Sequence, residues 1–210
     1  MSSEEIKIYN IEGNIASGKT TLGLGLYSTG KVGFIQEPVK LWRDKFDENL
    51  LDLFYSDPKR WSFLFQFAAF ATRAKTWKDI MDISDDLVMF VERSIFSDRN
   101  VFAKELYLSE SMTKTEYQVY CELWDWLYEN WCLDVTGTIY VRTPSDICFE
   151  RIHSRGREEE FEISLDYLNV LEEAHDNWLL NKENVFVLDG STQTEPEALL
   201  RKLGCLEESD

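Results

Sequence analysis

The strongest chemical signal is Gly13-Asn14-Ile15-Ala16-Ser17-Gly18-Lys19-Thr20, a complete G-x-x-x-x-G-K-[ST] pattern followed by Thr21 and Leu22. Backbone N–H groups in such a turn can curl around a phosphate because side chains stay out of the way, and a helix starting at its end adds its dipole. Gly13 through Thr21 therefore form a candidate cradle for ATP or GTP. Lys19 is placed to neutralise the β and γ phosphates, and Thr20 to hold Mg²⁺.

Such a cradle serves kinases and nucleotide switches alike. A guanine switch needs D-x-x-G after the third strand and N-K-x-D after a later one. Asp134-Val135-Thr136-Gly137 fits the first formally but precedes a strand, and Asn181-Lys182-Glu183-Asn184 ends in Asn where Asp is required. Phosphoryl transfer needs other groups, and the chain has candidates. Glu37 ends an apolar stretch, and Pro38 after it disfavours a helical conformation, predicting an extended exit that holds a carboxylate where it can accept a hydroxyl proton. In Glu92-Arg93-Ser94, Glu92 can serve as a Walker-B type acid toward Mg²⁺, and Arg93 can clamp a reacting oxygen or balance Glu37. Arg151, Arg155 and Arg157 fall within seven positions, ahead of Glu158-Glu159-Glu160. They suit a lid, about 151–163, that closes on phosphates, although a helix laced with Arg/Glu pairs uses the same residues.

These groups need a scaffold that brings them together. Ile6 to Ile11, Val32 to Gln36, Leu87 to Glu92, Thr138 to Val141 and Val185 to Leu188 read as strands. Trp61 to Trp77 and Glu116 to Trp131 carry apolar residues at helical period. Alternation of this kind predicts an α/β fold: one domain over 1–210, a five-stranded parallel sheet flanked by helices, and an acidic tail about 207–210. Ligands bind such sheets at the carboxyl ends of the strands, where the cradle, Glu37 and Glu92-Arg93 all fall.

Composition narrows the partners. With 22 Lys plus Arg against 39 Asp plus Glu, the formal net charge is −17. Nucleic-acid backbones and anionic membranes both reward positive surfaces, so neither is an expected partner. Hydrophobic residues at 44% and aromatics at 14% rule out a disordered acidic chain. The four cysteines and two histidines stand in no zinc or disulfide pattern. Neither a secretory or transit segment nor a membrane span is recognisable, which points to a soluble intracellular protein, cytoplasmic by default, with the mitochondrion and the nucleus as the alternatives.

Taken in order, Ile11 to Thr21, Glu37-Pro38-Val39 with Trp42, Tyr55 to Trp61, Phe65-Gln66, Glu92-Arg93-Ser94 and the three lid arginines resemble the eukaryotic-type deoxyribonucleoside kinase family, specifically its deoxycytidine and deoxyguanosine kinase branch. The resemblance spans about 8–188. It implies a P-loop kinase fold, ATP as phosphoryl donor and the 5′-hydroxyl of a deoxyribonucleoside as acceptor. On matching positions, Glu37 is the general base, Arg93 its partner at the 5′-oxygen and Glu92 the metal-side acid. Tyr55 and Glu160 hold the 3′-hydroxyl, with Glu159 as the neighbouring alternative. Gln66 pairs with the base edge, and Trp42, Phe65 and Phe96 pack around the base. Arg73 and Asp98 match a pair that crowds the thymine methyl, so deoxycytidine, deoxyadenosine or deoxyguanosine is expected ahead of thymidine. The helix around Trp124 to Trp131 resembles the family's dimer-forming region, which implies a homodimer. Two other readings share the cradle: a nucleoside monophosphate kinase of the thymidylate type, which needs cations for an acceptor phosphate, and a nucleotide-binding protein without transfer chemistry.

Overall fold

The structure is a computed structural model that describes residues 6–83, 88–131 and 134–206. Leu87, Cys132 and the acidic tail at 207–210 lie outside the described residues. The first half runs β1 (Lys7–Glu12), α1 (Lys19–Ser28), β2 (Gly33–Ile35), α2 (Val39–Asp44), α3 (Leu50–Ser56), α4 (Pro58–Ile83) and β3 (Val88–Glu92). After β3 come α5 (Ile95–Ser97), a π-helical turn (Asp98–Ala103), α6 (Lys104–Leu108) and α7 (Lys114–Trp131). The chain then continues through β4 (Gly137–Arg142), α8 (Ser145–Arg155), a 3₁₀ turn (Glu158–Glu160), α9 (Leu165–Leu179), β5 (Val185–Asp189) and α10 (Pro196–Lys202).

The five strands form one parallel sheet in the order β2-β3-β1-β4-β5. Side chains alternate across its faces, as the pleat requires. Tyr9, Ile11, Phe90, Ile139 and Val141 pack with Leu22 and Leu26 of α1 and Leu199 and Leu200 of α10. Ile8, Met89 and Val91 point the other way, onto Phe70 of α4 and Tyr120 and Trp124 of α7. A third cluster, Trp42, Leu50, Leu51, Phe54, Phe65 and Ala69, joins α2 and α3 to the first half of α4. Among the described residues no helix is long and apolar enough to cross a membrane.

The order places the site. The chain leaves β1 toward β2 at one edge, returns to β3, then crosses β1 to reach β4 on the far side, so a crevice opens at the carboxyl ends of the central strands. Ile35 of β2 pairs in register with Val91 of β3. Two residues further along each chain come Glu37 and Arg93, and Arg93 Nε lies 3.1 Å from Glu37 Oε1. The expected extended exit at Glu37 is cut short. The Val39 N–H closes onto the Glu37 carbonyl at 2.9 Å, with Pro38 at φ −81° and ψ 44°, an inverse γ-turn that starts α2 at once.

Candidate active site

The phosphate cradle fills the turn between β1 and α1. Gly13 has φ 146°, and a Cβ there would come within 2.4 Å of the Val141 carbonyl oxygen, so no other residue fits. The N-cap of α1, Gly18, offers no side-chain cap, which leaves the first-turn N–H groups pointing at the cavity mouth. Ala16 holds φ 58°, a left-handed conformation costing a residue with a Cβ about 1–2 kcal/mol. Lys19 is buried, and its ammonium donates to the carbonyls of Gly13 (3.1 Å) and Asn14 (2.6 Å). Burial, reinforced by the Arg93 guanidinium, brings its pKa down to about 7. Asn14 ties the loop to α9 through the Leu168 carbonyl at 2.9 Å. The Ser17 carbonyl accepts from Thr143 (2.8 Å) and Arg151 (3.1 Å).

Lys19 and Thr20 open onto a cavity of about 1200 Å³ that runs from the β5–α10 loop past the cradle to the cluster beneath α2 and α3. At its waist sit five charged side chains, Glu37, Arg73, Glu92, Arg93 and Asp98. Thr20 Oγ1 donates to Glu92 Oε1 at 2.6 Å, which joins a hydroxyl and a carboxylate beside the cradle. Glu37 meets two guanidiniums, a hydrogen bond from Arg73 Nη2 and the Arg93 contact described above. Burial alone would raise the Glu37 carboxyl, but Arg93, Arg73 and Lys19 hold it down to about 2. Arg73 reaches the other way to Asp98, which is fully buried and pushed up to about 6 by that burial in spite of the ion pair. Each guanidinium is covered by a ring: Arg73 lies 5.0 Å from the Trp42 centroid and Arg93 lies 4.5 Å from that of Phe102.

Beyond the waist the cavity is aromatic. Phe54 and Phe65 stack with centroids 4.6 Å apart, and Trp42 meets Phe65 edge-on at 5.4 Å. Gln66, 2% exposed, borders the same space with its Oε1 buried and without a hydrogen-bond partner. Tyr55 lines the wall below the lid segment, its phenol kept protonated by burial and by Tyr167 and Glu160 nearby.

The lid arginines divide their work. Arg151 donates to the carbonyls of Ser17 and Gly190, and so bridges the cradle and the β5–α10 loop. A Cβ on Gly190 would sit 2.0 Å from Thr143 Oγ1, so this loop can approach only as glycine. Arg155 and Arg157 both bind Glu160, the latter at 3.1 Å. Of the consecutive glutamates, Glu160 borders the cavity. Glu159 turns away to an ion pair with Arg43 of α2 at 2.6 Å, its side chain 5% exposed against 41% for the arginine. That asymmetry yields a prediction. Arg43→Ala strands a buried charge and should cost about 1–2 kcal/mol, whereas Arg43→Ala combined with Glu159→Gln should recover most of it. Urea unfolding midpoints read the difference, and equal losses in the two variants would contradict it.

One expected residue is misplaced. Phe96 does not border the cavity; it packs edge-on against Trp124 and Tyr128, both centroids at 5.7 Å. The reason is angular. Asp98 opens the π-helical turn, whose wider winding brings the position four further on back toward its own side, whereas the position two before it faces away. Phe102, in that turn, takes the place at the cavity wall. Tyr167 of α9 and Phe54 of α3 also border the cavity and carried no signal beyond being aromatic.

A glycine-bounded phosphate cradle, a hydroxyl and a carboxylate beside it, and an ionised glutamate facing an aromatic pocket define a P-loop phosphotransferase of the kinase type. The comparisons with known proteins then narrow the class. A model of the deoxynucleoside kinase family matches residues 9–200. The fowlpox virus protein named probable deoxycytidine kinase FPV151 is 40% identical over 184 residues, spanning 87% of this chain and 76% of its own length. Human deoxycytidine kinase is 36% identical over 199 residues, with 84% and 76% covered. The mitochondrial deoxyguanosine kinase of Xenopus laevis is 35% identical over 200 residues, with 85% and 75% covered. The chain belongs to the deoxynucleoside kinase family, enzymes that phosphorylate deoxyribonucleosides with ATP as donor. That membership removes the ground for a thymidylate-type kinase or a binding protein without transfer chemistry.

Proposed function

We propose that the enzyme transfers the γ-phosphoryl group of ATP to the 5′-hydroxyl of deoxycytidine, deoxyadenosine or deoxyguanosine in preference to thymidine. The observation that carries this reading is Glu37, an ionised carboxylate gripped by Arg73 and Arg93 at the waist between cradle and aromatic pocket. Being unprotonated throughout the neutral range, Glu37 orients the 5′-hydroxyl and receives its proton as transfer proceeds. In a loose transition state that proton moves late, so a weak base suffices. Arg93 lies against the developing charge, and Lys19 with Arg151, Arg155 and Arg157 stabilises the phosphates.

The acceptor pocket has neutral and acidic groups where a monophosphate would need cations. Gln66, with its unpartnered carbonyl, pairs with the base edge between the rings of Phe65, Trp42 and Phe102. Tyr55 and Glu160 hold the 3′-hydroxyl. Arg73 and Asp98 occupy the space a thymine methyl would need. The oxygens of Thr20 and Glu92 suit Mg²⁺, a hard cation that prefers such ligands. When bound it would neutralise charge on the β and γ phosphates.

The lid is the segment about 151–163, anchored by Gly156 in a left-handed turn. A homodimer through α7 belongs to the same reading, since the solvent face of this helix carries Val119, Leu123 and Trp126, all exposed; sedimentation velocity tests it. The free thiols of Cys121, Cys148 and Cys205 suit a reducing compartment such as the cytoplasm.

The decisive experiment is ATP-dependent monophosphate formation from deoxycytidine, deoxyadenosine, deoxyguanosine and thymidine in parallel, with thymidylate as a fifth acceptor. Transfer to the first three and little to thymidine supports the proposal. A thymidine kcat/KM equal to that of deoxycytidine sinks the preference, and turnover of thymidylate alone sinks the reaction.

A further inference from the structure

Glu12 ends β1 directly before the cradle and is completely buried, yet it borders neither the triphosphate nor the nucleoside part of the cavity. One carboxylate oxygen, Oε1, accepts both the N–H (2.9 Å) and the hydroxyl of Ser94. The same hydroxyl accepts the Phe96 N–H at 3.1 Å and so caps α5. Between Glu92 and Ser94 stands Arg93 at φ 63°, a left-handed conformation that an arginine adopts only when its surroundings enforce it. The enforcement is visible on both sides. The Arg93 N–H is fixed by the Ile11 carbonyl at 3.0 Å, and the next N–H is fixed by the Glu12 side chain.

The other oxygen of Glu12, Oε2, and Arg93 Nη1 are both buried without hydrogen-bond partners. Burial pushes the Glu12 carboxyl up, and Arg93 is the leading influence that offsets it. A buried charge held this way is costly, and stability alone would be served as well by a neutral residue. Its consequence is directional: the strand-end turn that Glu12 clasps decides where the Arg93 guanidinium points, and that guanidinium sits on Glu37.

We infer that Glu12 is a positioning residue for phosphoryl transfer, acting through Ser94 to hold the left-handed turn that sets Arg93 against Glu37 and the acceptor oxygen. The inference rests on the roles proposed above for Glu37 and Arg93. Because Glu12 touches neither substrate, its loss should fall on kcat and leave binding intact. Glu12→Gln keeps the shape, removes the charge that faces Arg93 and weakens the two bonds that Oε1 accepts from Ser94; Ser94→Ala keeps the charge and removes the hydroxyl, with both its bond to Glu12 and its cap on Phe96.

With deoxycytidine and ATP, Glu12→Gln should lower kcat about 10- to 100-fold with both KM values within about threefold, as expected when reacting groups shift by a fraction of an ångström. Ser94→Ala should show a smaller loss with the same split. The double variant should be no slower than Glu12→Gln alone, because both act through one contact. A folded Glu12→Gln with wild-type kcat, a rise in KM in place of the kcat loss, or losses that multiply in the double variant would overturn the inference alone. Should Glu12→Gln fail to fold, an unchanged kcat in Ser94→Ala overturns it as well. A wild-type enzyme that binds ATP and phosphorylates no deoxynucleoside would bring down the proposed function and this inference with it.

Discussion

Glu37→Gln is expected to lower kcat for deoxycytidine by about 10²–10⁴-fold while ATP affinity changes little, the range typical for losing a general base. Glutamine preserves the volume and one acceptor oxygen but cannot take a proton. It also leaves Arg73 and Arg93 with one fewer counter-charge, since both guanidiniums lean on this carboxylate. Arg73 keeps Asp98, so the local framework has a second anchor and the variant should remain folded. The cradle keeps its backbone N–H groups and the α1 N-terminus, and Lys19 loses only one of the three carboxylates that attract it, so ATP affinity should change little. Single-turnover phosphorylation and ATP titration by calorimetry measure the two quantities separately. A kcat loss smaller than about tenfold would mean that the proton leaves by another route. A parallel collapse of ATP affinity would mean that Glu37 supports the cradle.

Much of this site is local in the chain, and those parts were legible from residue order alone. The cradle is eight consecutive residues whose backbone shape demands glycine, and the strands announce themselves as short apolar runs just upstream of Gly13, Glu37 and Arg93. Position at a strand end then says where these groups meet, and the register of Ile35 with Val91 brings it about. What stayed hidden depends on distance or on an angle. Glu12 reads as one more acid in an acidic chain, and only the fold shows that the Ser94 turn closes over it. The Arg43–Glu159 pair joins α2 to the lid segment, far apart in sequence, and nothing local marks either member. Phe96, which the resemblance sets against the base, packs on Trp124 and Tyr128, and Phe102 lines the cavity in its stead, a choice between two nearby phenylalanines that only the path of the turn after β3 decides.

Base selection should turn on Arg73 and Asp98, and replacing both is expected to change it most. Removing only one partner of a buried pair strands the other's charge, at about 3–5 kcal/mol, so the informative variant is Arg73→Met with Asp98→Ala. It opens apolar room at the pocket floor, where the proposed pose of the nucleoside sets the thymine methyl, and the thymidine to deoxycytidine ratio of kcat/KM should rise by about 10²-fold, the scale on which pockets sort small apolar groups. Absolute kcat should fall for every nucleoside, because Arg73 also grips Glu37, and this is why the ratio is the quantity to read. Asp98→Ala alone should move the ratio less, since Arg73 would keep its hold on Glu37 and stay in the pocket under the Trp42 ring. An unchanged ratio in the double variant would assign any discrimination against thymidine to the aromatic wall of stacked Phe54 and Phe65 instead. The Arg73/Asp98 pair would then serve only to hold Glu37 in place.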